Sequence, residues 1–126
     1  MIDELVRRRP TTGAPIVTGF SQGGILSFAL AVLHPESVRA AFPVSGLLAP
    51  SLWPSQSPAG RAMPRVHALH GTADDRVPIA GARATVQRLR EVGFSADLVE
   101  YQGVGHTVTT EMRRDLVQAL SQELHL

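Results

Sequence analysis

The sequence predicts an α/β fold in which a mostly parallel sheet of about four strands lies between two layers of helices. Short apolar runs typical of buried strands alternate along the chain with longer segments of helical periodicity. No internal repeat and no shift in composition divides the 126 residues, so we expect a single domain over 1–126. In sheets of this kind, functional side chains gather at the carboxyl ends of the strands.

Four segments have the length and composition of strands, and three of them are followed by a helix. The predicted strands are residues 15–20, 38–44, 65–70 and 96–101, and the predicted helices are 22–33, 78–92 and 109–124. Residues 1–9 have a helix-like apolar pattern, ahead of a turn at 10–13. The segment 45–64 is rich in proline and serine and is expected to be a long loop.

Composition excludes several classes of function. The chain has no cysteine, which excludes a disulfide scaffold and a cysteine nucleophile, and no lysine, which excludes Schiff-base chemistry. The net charge of +1 lacks the excess positive charge that is typical of nucleic-acid-binding proteins, so no nucleic-acid partner is expected. No apolar stretch is long enough to span a membrane and no secretory leader is visible, so we expect a cytoplasmic protein. The histidines and carboxylates lack metal-ligand spacing, so no metal or other cofactor is expected.

A glycine-flanked serine follows the first predicted strand and precedes the first predicted helix. The segment Gly19-Phe20-Ser21-Gln22-Gly23 is the G-x-S-x-G nucleophile elbow in the strand–turn–helix context that this motif requires. Small flanking residues permit the strained turn that lifts the serine hydroxyl clear of the sheet. The same turn places the Gln22 backbone N–H at a helix N-terminus, where it can face a developing oxyanion. An ordinary glycine-rich turn is the plainer alternative.

A serine hydroxyl needs a base, and a base needs an orienting acid. Of five histidines, His106 lies in a glycine-rich loop after the last predicted strand. Asp74 and Asp75 follow the third strand and are the two candidate acids; for Asp75, a surface pair with Arg76 is the plainer alternative. The order serine, acid, histidine is the chain order of α/β-hydrolases.

Three motifs together resemble the phospholipase/carboxylesterase family of α/β-hydrolases, which includes acyl-protein thioesterases. They are residues 19–24, residues 70–78 and the pair Gly105-His106. The resemblance implies that Ser21 is the nucleophile, Asp74 the acid and His106 the base. It implies that the Gln22 backbone N–H is one oxyanion donor. It favours Asp74 over Asp75.

The resemblance extends from about residue 14 onward and implies a truncated α/β-hydrolase corresponding to the C-terminal half of the family fold. The family has further strands before the elbow and a second oxyanion donor there, and residues 1–14 offer no candidate for that donor. One edge of the serine strand is therefore expected to be bare. An exposed apolar edge favours pairing with another chain, so we expect a homo-oligomer formed through residues 1–33.

The expected function is a serine carboxylesterase that hydrolyses small-molecule esters with short-to-medium acyl chains. An acyl-protein thioesterase or a peptidase-like hydrolase is an alternative with the same residues, and an inactive, oligomerising remnant of a hydrolase is another. Within the long loop, Leu47, Leu48 and Trp53 are expected to line the acyl pocket, with plain core packing an equally open interpretation.

Overall fold

The computed structural model describes residues 6–7, 15–55 and 63–124. The strands are β1 (Val6–Arg7), β2 (Ile16–Phe20), β3 (Ala40–Val44), β4 (Arg65–Gly71) and β5 (Ala96–Tyr101). The helices are α1 (Gln22–Leu33), α2 (Ile79–Glu91) and α3 (Thr110–Leu124). Two single turns of 3₁₀ helix, Pro35–Ser37 and Pro50–Leu52, lie in the connections on either side of β3.

The strands form one sheet in the order β1-β2-β3-β4-β5. The four strands from β2 to β5 are parallel, which confirms the predicted α/β class and the number of parallel strands. Because parallel strands point in the same direction, their carboxyl ends lie at one edge of the sheet, and the loops that follow β2, β4 and β5 all leave from that edge. The elbow serine and both of its predicted partners are on these loops.

Alternating side chains of the strands pack against helices on opposite faces of the sheet. On one face, Val17 and Ala41 pack with Phe28 of α1 and Leu89 of α2. On the other face, Ile16, Ala40 and Phe42 pack against α3 through Leu116, Ala119 and Leu120. The period of two along a strand thus produces the predicted three-layer arrangement.

The predicted helix over residues 1–9 is wrong at the two positions that the structure describes. Val6 and Arg7 form a strand antiparallel to β2, in register with Val17 and Ile16. The other residues of 1–14 lie outside the described residues. The open N–H and C=O groups of β2 offer hydrogen bonds that outweigh a weak local helical pattern. The expected bare edge of β2 is therefore covered along its first two residues.

The helix boundaries follow local signals in the sequence. His34-Pro35 ends α1, as predicted, because the residue before proline is disfavoured in helical conformation. Gly93, at φ 100°, lies just beyond α2, where a left-handed residue commonly ends a helix. No helix in the described ranges is long and apolar enough to cross a membrane.

Candidate active site

Ser21 occupies a strained turn between β2 and α1. Its backbone has φ 60° and ψ −112°, a conformation that residues other than glycine rarely adopt. The Ser21 N–H donates to the Val44 carbonyl oxygen at 2.9 Å, and the Ser21 carbonyl accepts the N–H of Ile25 at 2.9 Å. The turn is therefore fixed on one side to β3 and on the other to the first turn of α1.

Two glycines let α1 start directly against the end of β3. A Cβ on Gly24 would lie 2.5 Å from the Val44 carbonyl oxygen, and a Cβ on Gly46 would lie 2.5 Å from the Gly24 carbonyl carbon. Real Cβ atoms do not approach this closely, so both positions require glycine. The second glycine after the serine was visible in the sequence, but its contact with Gly46 was not.

Asp74 lies in the loop after β4 and its carboxylate is fully engaged. Oδ1 accepts the backbone N–H groups of Arg76 and Val77 at 2.9 and 2.8 Å, while Oδ2 faces the Nδ1 atom of His106 at 2.8 Å. The Asp74 side chain is buried, whereas Asp75 is exposed. The structure thus brings Asp74, not Asp75, to the histidine.

Burial by itself raises the pKa of Asp74, but the hydrogen bonds to its carboxylate reverse that effect. The N–H of Val77, the His106 side chain and the N–H of Arg76 together hold the pKa of Asp74 below its ordinary value of 3.8. The carboxylate is therefore ionised at neutral pH. Buried His70 supports the same loop, because its Nε2–H donates to the Val77 carbonyl oxygen at 2.6 Å and lies 3.7 Å from Asp74 Oδ2.

His106 lies in the loop after β5, and this loop is joined to the one that carries Asp74. The Ala73 N–H donates to the Val104 carbonyl at 2.9 Å, and the Gly103 N–H donates to the Thr72 hydroxyl oxygen at 2.8 Å. A Cβ on Gly71 would lie 2.7 Å from the Val104 carbonyl carbon, so the loops need glycine there to approach. These contacts set the separation of the carboxylate and the imidazole.

Ser21, His106 and Asp74 form one hydrogen-bonded chain. The Nε2 atom of His106 lies 2.9 Å from Ser21 Oγ, and its Nδ1 atom lies 2.8 Å from Asp74 Oδ2. An ionised carboxylate only accepts hydrogen bonds, so Nδ1 carries the proton and Nε2 presents a lone pair to the serine hydroxyl. This is the tautomer in which the imidazole can accept the serine proton.

Gln22 lies next to the serine as the first residue of α1, and its side chain is exposed. Its backbone N–H has no acceptor within the helix, because the first N–H groups of any helix lack one. The partial positive charge of the helix N-terminus adds to this donor. A carbonyl oxygen of a substrate attacked by Ser21 would find favourable electrostatics here.

The three loop residues predicted to line an acyl pocket have different environments. Leu48 is 1% exposed and belongs to the main core cluster, and Trp53 packs against that cluster and donates from Nε1 to the Leu48 carbonyl at 2.8 Å. These positions support the core-packing interpretation for both. Leu47 is only partly buried and lies against Gly81 at the start of α2.

Sequence reasoning missed one neighbour of the histidine. The Phe20 ring lies 4.9 Å from the His106 ring, centroid to centroid, with 37° between the planes. Its place inside the elbow motif was the available signal. Of the other histidines in the described ranges, His34 is exposed at the end of α1, and His67 pairs with Asp97 at 2.5 Å, away from this site. No metal-binding group of histidines and carboxylates occurs among the described residues.

A parallel sheet between helices, with serine, aspartate and histidine joined at its carboxyl edge in that chain order, defines an α/β-hydrolase fold. Comparison with known families agrees with this class. Residues 1–124 match the phospholipase/carboxylesterase family, and the chain belongs to that family.

Individual relatives and structures are consistent with the family. A probable carboxylesterase of Oryza sativa subsp. japonica is 35% identical over 75% of this chain and 36% of its own length. Lysophospholipase-like protein 1 of Mus musculus is 28% identical over 90% of this chain and 49% of its own length. The crystal structure of Arabidopsis thaliana SOBER1 matches with a TM-score of 0.74 and 26% identity, covering 86% of this chain and 52% of that chain. The chain spans about half the length, or less, of these relatives.

Proposed function

We propose that the protein is a serine carboxylesterase that hydrolyses small-molecule esters through an acyl-enzyme on Ser21. The observation that carries the proposal is the unbroken pair of hydrogen bonds from Ser21 Oγ through the His106 imidazole to the Asp74 carboxylate, at 2.9 and 2.8 Å. Membership of the phospholipase/carboxylesterase family supports the same chemistry. The names of its relatives support an ester as the substrate.

In the proposed first half-reaction, His106 Nε2 takes the proton from Ser21 Oγ as the oxygen attacks the ester carbonyl carbon. The tetrahedral intermediate places negative charge on the former carbonyl oxygen, near the Gln22 N–H. The imidazolium then gives its proton to the leaving alcohol oxygen as the C–O bond breaks. Asp74 stabilises the imidazolium and maintains the tautomer without itself taking the proton.

The second half-reaction repeats these steps with water. His106 removes a proton from water as the water oxygen attacks the acyl carbon. The bond between the acyl carbon and Ser21 Oγ then breaks, the imidazolium returns its proton to Oγ, and the carboxylic acid leaves. Removing one donor of an oxyanion pair costs about 10²–10³ in kcat, so the Gln22 N–H is expected to contribute to both half-reactions. Esters with short-to-medium acyl chains are the proposed substrates, and Leu47, which is partly buried and belongs to none of the core clusters of the described residues, is the proposed pocket residue.

Replacement of the nucleophile tests the proposal directly. Ser21→Ala is expected to abolish hydrolysis of p-nitrophenyl butyrate and labelling by a fluorophosphonate probe, whereas Ser51→Ala, at an exposed serine in the loop after β3, is expected to retain both. Labelling requires an activated serine, so a folded wild-type chain that neither labels nor hydrolyses the ester identifies an inactive remnant. Equal turnover by wild type and Ser21→Ala also contradicts the proposal.

We also propose that the protein self-associates through the outer surface of α1. Ile25 and Leu33, two turns apart on that helix, are 38% and 51% exposed, and burying such apolar area favours a second copy. Although β1 covers the start of β2, its pairing in the described residues stops at Val17. Sedimentation velocity is expected to show a dimer or larger species that Leu33→Glu dissociates and that Val117→Glu, on α3, leaves intact. A wild-type monomer at all concentrations refutes this interface.

A further inference from the structure

Phe20 is a large apolar side chain whose position is not explained by the hydrophobic core. It is 40% exposed and belongs to none of the buried clusters of the described chain. Its ring lies instead against the imidazole of His106, with centroids 4.9 Å apart and planes inclined at 37°. The residue directly before Ser21 thus contacts the group that binds the serine proton.

We propose that Phe20 is a positioning residue that holds the His106 ring in place and stabilises its imidazolium form. The inference rests on the proposed function, in which that imidazolium forms twice in each turnover. A cation within about 6 Å of an aromatic centroid is attracted to the negative face of the ring. The attraction is stronger after proton transfer than before it, and only such a difference accelerates the reaction.

The remaining groups around His106 define what else acts on its charge. Asp74 is the ionised group in contact with the imidazole, at 2.8 Å from Nδ1, and the Nε2 atom of buried His70 lies 3.7 Å from the same carboxylate oxygen, Oδ2. Ser21 on Nε2 is neutral. Among the described residues, Phe20 has its ring beside the imidazole, at 4.9 Å between the ring centroids.

Leucine at position 20 separates the two physical effects of the phenyl ring. It covers much of the same imidazole surface and so keeps water away, but it has no quadrupole to attract a cation. If Phe20 only shields the imidazole, Phe20→Leu leaves the pKa of His106 unchanged. If Phe20 stabilises the cation, the neutral imidazole is favoured in the variant and the pKa of His106 falls.

The experiment is an NMR titration of the histidine ring protons in the full chain, with His106→Asn used to identify the His106 resonance. The pKa of His106 in Phe20→Leu is expected to fall by about half a pH unit, and Phe20→Trp is expected to restore it, because tryptophan binds cations best. An unchanged pKa in a folded Phe20→Leu protein overturns the inference. If Phe20→Leu does not fold, Phe20→Met provides the same comparison.

Kinetics on p-nitrophenyl butyrate give a second readout. Phe20→Leu is expected to lower kcat/KM about two- to fivefold and to move the acidic limb of its pH profile to lower pH. Val117→Ala, which removes an exposed apolar side chain from α3, leaves both unchanged. A loss of rate without movement of that limb indicates a merely structural role and contradicts the inference. The NMR titration does not depend on enzymatic turnover. An inactive wild-type protein therefore refutes the proposed function, while the effect of Phe20 on His106 can still be measured.

Discussion

The two oxygens of the Asp74 carboxylate have different partners, and this makes Asp74→Asn a sharp test. Oδ1 accepts two backbone N–H groups, from Arg76 and Val77, whereas Oδ2 accepts the Nδ1 proton of His106. Asparagine has the same shape but replaces one oxygen with an NH₂ group. Placing that NH₂ at the Oδ1 position would oppose two N–H donors, the buried one of Val77 and the partly buried one of Arg76, and leaving a buried donor unpaired costs about 1–3 kcal/mol. The NH₂ group therefore faces His106.

An NH₂ group facing Nδ1 reverses the hydrogen bond and changes the tautomer of the imidazole. His106 must then accept at Nδ1 and carry its proton on Nε2, which donates to Ser21 Oγ instead of accepting from it. Under the proposed function, the base is lost although the geometry is kept. We expect kcat to fall about 10⁴-fold, equivalent to about 5.5 kcal/mol of transition-state stabilisation.

Two measurements check this prediction. The first is kcat for p-nitrophenyl butyrate, and the second is the ¹⁵N chemical shift of each His106 ring nitrogen, which reports the tautomer. Asp75→Asn is the matched control: that side chain is exposed, so its kcat stays within about twofold of wild type. An Asp74→Asn protein with more than a tenth of wild-type kcat, or with the proton still on Nδ1, refutes the reasoning.

Three further predictions concern stability. The hydrogen bonds that lower the pKa of Asp74 below 3.8 stabilise the folded protein above that pH. This stabilisation is lost as the pH falls through the lower pKa of the folded state. Asparagine has no such titration, so the free energy of unfolding is expected to depend less steeply on acidic pH in Asp74→Asn than in wild type. Gly24→Ala, whose Cβ meets the Val44 oxygen at 2.5 Å, lowers the free energy of unfolding by about 1–3 kcal/mol in urea titrations. Gly105→Ala, with nothing nearer than 3.9 Å, costs less, and equal costs would contradict the packing argument. Thr85→Val leaves a buried loop N–H without its acceptor and costs about 1–3 kcal/mol, while Thr85→Ser retains most of the stability.

The parallel strands and the helices after them were predictable because their signals are local. Apolar runs, glycines and His34-Pro35 mark the start or end of each element without reference to the rest of the chain. The convergence of Ser21 with Asp74 and His106 followed from topology, since loops after parallel strands share one edge. The choice between adjacent Asp74 and Asp75 needed the family resemblance, because both residues have the same chemistry.

Contacts between distant segments were beyond the sequence. Val6 and Arg7 pair with β2 through backbone groups, for which a two-residue strand has no periodic pattern. The burial of Leu48 depends on Thr85 of α2, whose hydroxyl oxygen accepts the Leu48 N–H at 3.1 Å. The contact between Phe20 and His106 likewise joins the end of β2 to the loop after β5. Such pairings depend on how loops cross in space, which composition and spacing do not encode.

The parallel order of the sheet has a consequence for how this chemistry can be transferred between proteins. Ser21 and His106 are 85 positions apart in the chain, and Asp74 lies between them, so one uninterrupted stretch carries all three groups at the carboxyl ends of strands of one sheet. A recombination crossover ahead of β2 would deliver them to a new host as one inherited module. A crossover between Asp74 and β5 would instead separate the carboxylate from the imidazole to which it is hydrogen-bonded.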